Sequence, residues 1–527
     1  MSGQRTVASV ILELLGKHGV TRAFGIPGVH NLPFWDTESE SAPRIIGVRH
    51  EQAAGYACDG LFRATGVPGA ALLTSGPGAA NIMAAFGEAF VSNSAMLVLA
   101  SEVNQSLRSS TGPRGILHEM ANQGAMFEAF GAPARTARTR QEAIASTVLA
   151  LRDAWGPPPL SSYVGIPTDV LGEEWTSSVP HIPRLPAPAA DPHDVGALAE
   201  LISASSRVVL WLGGGVVSAD AEEQVRRLAH RLGSPVVTTY AGRGLLAGDP
   251  LLVNAPVHEP EVAQVVADAD LLLVIGSSFD GMNTKNWRLP LPPRRAAITL
   301  GTLIQQTVDF DCLISADVRT ALIALEEQLD ESAVAPRTPW VDVSGIRPAI
   351  VRRLLDDPRT EQAMTWVQQV ESGWSSDGAV VCDMSVGAYW VGGYSEQPRL
   401  RRLQYAVGWG TLGFALPAAI GPASVGIPTL AVCGDGGPMF ALGELATYAQ
   451  ESLPITLLIV DDGGYGMLRF DQQVFGHPER GVDLLELGKA DRGNSKQVQQ
   501  RDTPPHQMLR NEGPAMRDHH GEACAEK

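Results

Sequence analysis

Short apolar runs that stop at a glycine, serine or aspartate recur along this chain, with stretches of helical spacing between them. Residues 70–74, 96–100, 208–212, 271–275, 429–432 and 455–460 are the clearest. Runs without polar alternation fit strands covered on both faces, so the pattern predicts parallel sheets flanked by helices. In open sheets of that kind the carboxyl ends of the strands are where ligands bind. The small and acidic residues that close these runs therefore mark the places to search for chemistry.

At 527 residues the chain has room for about three domains of roughly 150 residues. Two proline-rich breaks divide it, one over 179–192 (Pro180, Pro183, Pro186, Pro188 and Pro192) and a weaker one over 332–348. The expected organisation is an α/β protein of three domains, 1–178, 190–335 and 350–487, each a mostly parallel sheet covered by helices. Residues 488–527 contain one Val, one Leu, two Met and no aromatic residue. That composition cannot build a packed core, so an atypical, disordered tail is expected.

A net charge of −17 argues against nucleic acid or an anionic membrane as partner, since both select basic surfaces. A bound anion would have to be held by local groups or a metal. Five scattered cysteines without a CxxC pair fit a reducing cytoplasm better than a disulfide framework or a zinc site. There is no stretch of 18 or more apolar residues, so no membrane span is expected.

The most informative segment is Ala431-Val-Cys-Gly-Asp-Gly-Gly437, followed by Leu457-Leu-Ile-Val-Asp-Asp-Gly-Gly-Tyr-Gly-Met467. An apolar strand delivers Gly434, Asp435, Gly436 and Gly437 to a turn. A helical pattern over 439–451 then leads to a second strand ending at Asp461 and Asp462. Glycines at such a turn let backbone N–H groups approach a diphosphate at a helix N-terminus. Asp435 and Asp462, on neighbouring strand ends, suit one hard cation that shares its coordination with phosphate oxygens and water. Taken alone, the glycine-rich stretch reads equally well as a tight turn; the second carboxylate tips the balance. The residues themselves take the argument as far as a metal–diphosphate site.

The first third carries Phe24-Gly-Ile-Pro-Gly-Val-His30-Asn31, then Gly47-Val-Arg-His-Glu51-Gln-Ala-Ala-Gly55, then Thr74-Ser-Gly-Pro-Gly-Ala-Ala-Asn81. Glu51 opens a small-residue helical pattern. The plain reading is a helix N-terminal glutamate favoured by the macrodipole. Gly408-Trp-Gly410-Thr-Leu412-Gly sets a branched side chain between glycines, which lets it press on a ligand while the backbone comes close.

Together these segments resemble the thiamine diphosphate signature of the acetolactate synthase and pyruvate decarboxylase superfamily, in which GDG is followed within thirty residues by Asn-Asn. The resemblance spans roughly residues 5–483. It implies that Asp435 and Asp462 hold Mg²⁺ with the Gly464 carbonyl, and that Gly434, Gly436, Gly437 and Met467 line the cofactor. Ser385 and Gly387 would add diphosphate donors. Leu412 would wedge thiamine diphosphate into its bent shape, with the Gly410 carbonyl accepting from its aminopyrimidine. Glu51 would be the catalytic residue, bonding the pyrimidine so that its exocyclic nitrogen takes the C2 proton; His50 would be structural. Asn81, Gln123 and His30 are the substrate-side candidates, with a helix-surface or capping amide as the alternative for the first two. One departure stands out: the family usually has Asn where this chain has Asp462.

Val208-Val-Leu-Trp-Leu-Gly-Gly-Gly215 in the central third is a weak nucleotide signal. Relatives place FAD or ADP there or leave it empty, so FAD is possible but not favoured. No His-His pair follows the loop of the first domain and no His lies within 74–81, which separates the chain from pyruvate and benzoylformate decarboxylases. The motifs around His30, Glu51 and Gln123 instead resemble decarboxylases related to the 5-guanidino-2-oxopentanoate enzyme. The implied function is decarboxylation of a 2-oxo acid, ending in an aldehyde or in carboligation to a 2-acetolactate-type product. A homodimer or homotetramer is implied as the partner state. The competing readings are a non-catalytic cofactor-binding homologue and a flavin redox member of the family.

Overall fold

Among the described residues fifteen strands fall into three separate sheets, and every pairing between these strands is parallel. The computed structural model describes residues 5–484 except 38, 110, 111, 113, 184, 302–307 and 376. The expectations for 485–487 and for the tail 488–527 lie outside the described residues.

The first sheet contains β1 (Arg22–Gly25), β2 (Arg44–Gly47), β3 (Gly69–Leu73), β4 (Met96–Glu102), β5 (Ala134–Thr136) and β6 (Ser162–Pro167), in the order β2-β1-β3-β4-β6-β5. β7 (Val208–Leu212), β8 (Val236–Thr238), β9 (Leu271–Ile275), β10 (Arg294–Ile298) and β11 (Cys312–Ile314) form the second, ordered β11-β10-β9-β7-β8. The third is β12 (Ala379–Cys382), β13 (Leu403–Tyr405), β14 (Thr429–Gly434) and β15 (Ile455–Val460), ordered β13-β12-β14-β15. β3, β4, β7 and β9 are buried at every residue, as their unbroken apolar runs require. The expected strand at 429–432 runs on through Gly434, and that at 70–74 lies one residue earlier.

The first and third sheets share a plan. β2-β1-β3-β4 and β13-β12-β14-β15 have the same order, so each sheet reverses direction between its first strand in sequence and its third. After β2 comes helix Glu51–Thr65, and after β13 comes helix Ala415–Ala423. These two helices cross in direct contact. A methyl group on Gly421 would sit inside van der Waals distance of the Ala57 carbonyl and the Leu61 nitrogen; one on Gly60 would strike the Ala418 carbonyl. Small residues at the crossing are what let the backbones approach so closely. The crossing joins both domains in one apolar core containing Ala57, Leu61, Phe414 and Ala418.

The glycines that follow β7 have a structural explanation. A methyl group on Gly213 or Gly215 would meet the backbone of Gly276, which closes β9, at 2.9 Å or less. The two strand-end loops of the central sheet are thus packed onto each other. Among the described residues no helix is long and apolar enough to cross a membrane.

Candidate active site

The reversal points of the first and third sheets each gather side chains from two strand ends, where an open sheet offers a crevice. In the third sheet these are Asp383 and Ser385 after β12, and Gly434, Asp435 and Gly436 at and after β14. Asp462, at the end of β15, joins them.

Asp435 and Asp462 lie close enough to shift one another's titration. Burial raises the Asp462 carboxyl to about 6, with the Asp435 charge second and Arg469 opposing. Burial likewise raises Asp435, and the nearby Asp461 adds to the effect. Two half-buried carboxylates side by side want a cation. Among the described residues no group of three His, Cys, Asp or Glu side chains is placed to hold a metal, so further ligands must be carbonyls, water or phosphate. Gly464 stands beside this pair, its neighbour Tyr465 tied through its N–H to the Val482 carbonyl.

Several buried polar atoms around the crevice have no hydrogen-bond partner within the protein: Asp383 Oδ2, Ser385 Oγ, Thr411 Oγ1 and Asp435 Oδ1. Such groups are costly when left unmade, at roughly 1–3 kcal/mol each, which makes a concentration of four a mark of a polar ligand site. Ser385 caps helix Val386–Tyr394 but its hydroxyl takes no cap bond, so it and the first-turn N–H groups, Gly387 included, face the crevice rather than each other. Asp383 accepts from Met384 N at 2.8 Å and Gly413 N at 3.0 Å, yet burial still raises it to about 6. It thereby pins the loop that carries Gly410 and Leu412. Leu412 is 37% exposed and presses on no protein group that would hide it. A diphosphate with a cation, and a bent ring system over Leu412, fit this set. Met467, half-buried, opens helix Gly466–Val474 alongside.

The expected helix over 439–451 begins later. Residues Gly437–Phe440 and Leu442–Glu444 are 3-10 turns, and the α-helix covers only Leu445–Glu451. Pro438 and the glycines at 436, 437 and 443 weaken α-helix here, so the turn after GDGG is tighter than the helical spacing suggested.

In the first sheet, Glu51 is the opening residue of its helix, and His50 is the cap, its Nδ1 accepting from Gln52 N at 3.2 Å. Glu51 Oε2 accepts from Asn81 Nδ2 at 3.0 Å. Gly78 brings the Thr74–Asn81 loop against the carboxyl, since a methyl group there would lie 3.3 Å from Glu51 Oε1. Across the reversal point, Ser75 Oγ sits 2.7 Å from His30 Nδ1 and 3.4 Å from His118 Nδ1. Burial, then the neighbouring His118, lowers His30, which keeps it neutral near pH 7. Gln123 is buried and used internally: it accepts from Gly76 N at 2.7 Å and donates to the Ser101 carbonyl and Tyr163 Oη. Asn81 and His30 thus border Glu51 and its loop, whereas Gln123 lies behind it. No hydrogen bond among the described residues joins Glu51 to the crevice of the third sheet.

Asp383, Thr411 and His118 escaped the reading of motifs. Only Asp383 left a signal, as an acid directly closing an apolar run.

Three family models match the chain. They are the thiamine pyrophosphate enzyme N-terminal TPP binding domain over residues 5–126, the central domain over 195–325, and the C-terminal TPP binding domain over 385–497. The chain is 32% identical over 506 residues to a Pseudomonas aeruginosa protein described as "Probable 2-ketoarginine decarboxylase AruI", covering 92% of this chain and 88% of that one. It is 29% identical to an acetolactate synthase of Mycobacterium bovis, covering 92% and 82%. An acetolactate synthase of Bacillus subtilis is 28% identical, covering 88% and 83%.

Proposed function

The chain belongs to the thiamine pyrophosphate enzymes, as a decarboxylase or carboligase of that family, and from that premise we propose that it decarboxylates a 2-oxo acid with thiamine diphosphate held through Mg²⁺. The observation that carries the site assignment is the cluster of unpartnered buried polar atoms around Asp383, Ser385, Thr411 and Asp435, with Asp462 beside them. In this assignment Asp435, Asp462 and the Gly464 carbonyl hold the metal. Ser385, Gly387 and the glycines at 434, 436 and 437 surround the diphosphate, while Gly410, Leu412 and Met467 set the rings. When bound, thiamine diphosphate supplies a carbon acid whose conjugate base adds to the 2-oxo group and stabilises the charge left by carbon dioxide. Glu51 holds or moves a proton at the pyrimidine ring, and Asn81 fixes its carboxyl through Oε2. Asn81, His30 and the His118 beside it border the space left for substrate; Gln123 supports the loop at Gly76.

The name of the Pseudomonas aeruginosa relative contains a 2-oxo acid, 2-ketoarginine, and the names of the other two contain a product, acetolactate; the order of test follows them. A carbon dioxide release screen with thiamine diphosphate and Mg²⁺ would begin with 5-guanidino-2-oxopentanoate and pyruvate, with aldehyde and 2-acetolactate measured as products. No release from any 2-oxo acid by cofactor-loaded protein would favour the non-catalytic reading instead.

A homodimer or homotetramer completes the proposal. Trp409, Leu412, Met439, Phe440, Leu442 and Leu445 are all more than a third exposed, and they lie on the segments that carry Gly410 and that follow Gly437. An apolar rim on a site that lacks its acid–base residue fits a second copy bringing Glu51 to it. Full activity in a monomer, by analytical ultracentrifugation, would contradict this. The free thiols of Cys58, Cys312, Cys382 and Cys433 and the acidic net charge fit a cytoplasmic enzyme without nucleic-acid or membrane partners.

A further inference from the structure

Two buried glutamates outside the site reach across the domain boundary in opposite directions. Glu88, in helix Met83–Val91 of the first domain, is fully buried. Its carboxylate accepts from the backbone nitrogens of Gly408 (3.3 Å), Trp409 (2.9 Å) and Gly410 (3.2 Å) in the third-sheet domain. Glu444 of that domain is 1% exposed and accepts from Arg49 N at 2.8 Å and His50 N at 3.1 Å in the first domain.

The two contacts occupy matching places. Residues 49–50 lead from β2 into helix Glu51–Thr65, and 408–410 lead from β13 toward helix Ala415–Ala423. Glu88 and Glu444 each follow the next strand, β3 and β14. Each domain therefore lends one carboxylate to the loop that opens the other domain's central helix. Both are fixed in turn. Arg63 donates to Glu88 at 2.9 Å, to both oxygens of Asp59 and to the Tyr405 carbonyl; the Thr447 hydroxyl donates to Glu444 at 2.6 Å. A carboxylate on backbone N–H groups is a strong, directional bond, and in a dry interface it holds a loop to one geometry.

We infer that Glu88 and Glu444 are a reciprocal pair of positioning residues: Glu88 sets the Gly410–Leu412 segment that shapes the bound cofactor, and Glu444 sets the start of the helix that presents Glu51. The inference rests on the roles proposed above for Gly410, Leu412 and Glu51. It predicts a split. Disturbing Glu88 acts on cofactor binding, whereas disturbing Glu444 acts on turnover with the cofactor still bound.

The test uses Glu88→Gln and Glu444→Gln in the full chain, with Glu88→Asp and Glu444→Asp as variants that keep the charge but shorten the reach. Amide hydrogen exchange on the protein without cofactor reads the loops directly, calorimetric titration gives the thiamine diphosphate affinity in Mg²⁺, and carbon dioxide release gives kcat. Glu88→Gln is expected to speed exchange at 408–410 at least tenfold and weaken cofactor binding about tenfold. Glu444→Gln is expected to speed exchange at 49–51, leave affinity within threefold and lower kcat about tenfold. The Asp variants are expected to fall between. Unchanged exchange at those amides, equal acceleration throughout the chain, or the same phenotype from both variants overturns the inference. Leu412→Ala separates it from the site assignment. If Leu412→Ala weakens cofactor binding and Glu88→Gln does not, the positioning role fails alone; if neither does, the assignment of the loop fails and takes the inference with it.

Discussion

The first and third sheets repeat one strand order, yet their reversal points are finished in opposite ways. In the first, the side chains close on each other: Asn81 on Glu51, Ser75 on His30, Gln123 on Gly76. In the third, Asp383, Ser385, Thr411 and Asp435 leave buried oxygens unsatisfied, and Asp462 is raised beside Asp435. Topology supplies a crevice in both places; the polar atoms left over decide which crevice binds. In the assignment proposed above, the third sheet is the affinity half, where a cation and a diphosphate would be held. The first is the chemical half, whose residues are held in place before anything arrives.

The strongest way to break that division is Glu51→Gln. If Glu51 only starts its helix, the amide leaves turnover nearly intact. If it holds the proton-shifting role, turnover falls about 10²–10⁴-fold while thiamine diphosphate still binds, because the binding contacts lie in the other half. Carbon dioxide release and C2 proton exchange of bound cofactor, measured together, decide the matter. Normal exchange in the variant would remove Glu51 from the chemistry.

Asp383→Asn sharpens the comparison through pH. Burial raises the folded-state carboxyl from 3.8 to about 6. The folded protein therefore binds a proton more readily than the unfolded chain between those values. This group's effect on stability is absent below about pH 4, turns unfavourable as pH rises through that window, and is complete above about pH 6. The full penalty is roughly 3 kcal/mol. Denaturation of the cofactor-free protein at pH 4, 5, 6 and 7 is expected to show the Asn variant gaining on the wild type up to about pH 6 and then level. A difference that does not change with pH would mean that Asp383 is not held against its own charge.

How much of this was legible beforehand follows from distance along the chain. Parallel α/β sheets could be read from unbroken apolar runs, because burial on both faces is written in consecutive residues. Gly434 to Gly437, Asp462 and Glu51 stood out because glycines and acids at strand ends form local patterns. Glu88 and Glu444 carry no such pattern. Their partners lie 321 and 395 residues away in the sequence, so neither periodicity nor spacing points to them. The residues after Gly437 failed differently: their apolar spacing is helical, yet glycine and proline tighten the backbone into 3-10 turns. Asp383 stands two residues before Ser385, but its value depends on Gly413, which only the fold brings to it.

Asp435→Ala tests the affinity half directly. Loss of an anionic ligand is expected to weaken thiamine diphosphate retention tenfold or more, on the order of 1.4 kcal/mol, while leaving the Glu51 side of the molecule folded as before. Equilibrium dialysis in Mg²⁺ and with chelator reads it. Retention that ignores both the substitution and the chelator would remove the metal from the site.

The smallest effect is expected at Asp462, where the family resemblance implies Asn. Asp462→Asn keeps an oxygen that can face a cation and removes one negative charge beside Asp435, the neighbour whose charge helps raise it. In the protein without metal that charge is a repulsion inside a partly buried crevice, so the Asn variant is expected to melt at a higher temperature at pH 7. With Mg²⁺ present the two changes oppose each other. The cation loses one favourable charge, but the diphosphate no longer meets an extra carboxylate, and cofactor affinity is expected to stay within threefold. Thermal midpoints without metal and calorimetric affinity with it separate the two contributions. A tenfold loss of affinity in Asp462→Asn would show that this chain holds its cation by two full charges rather than one.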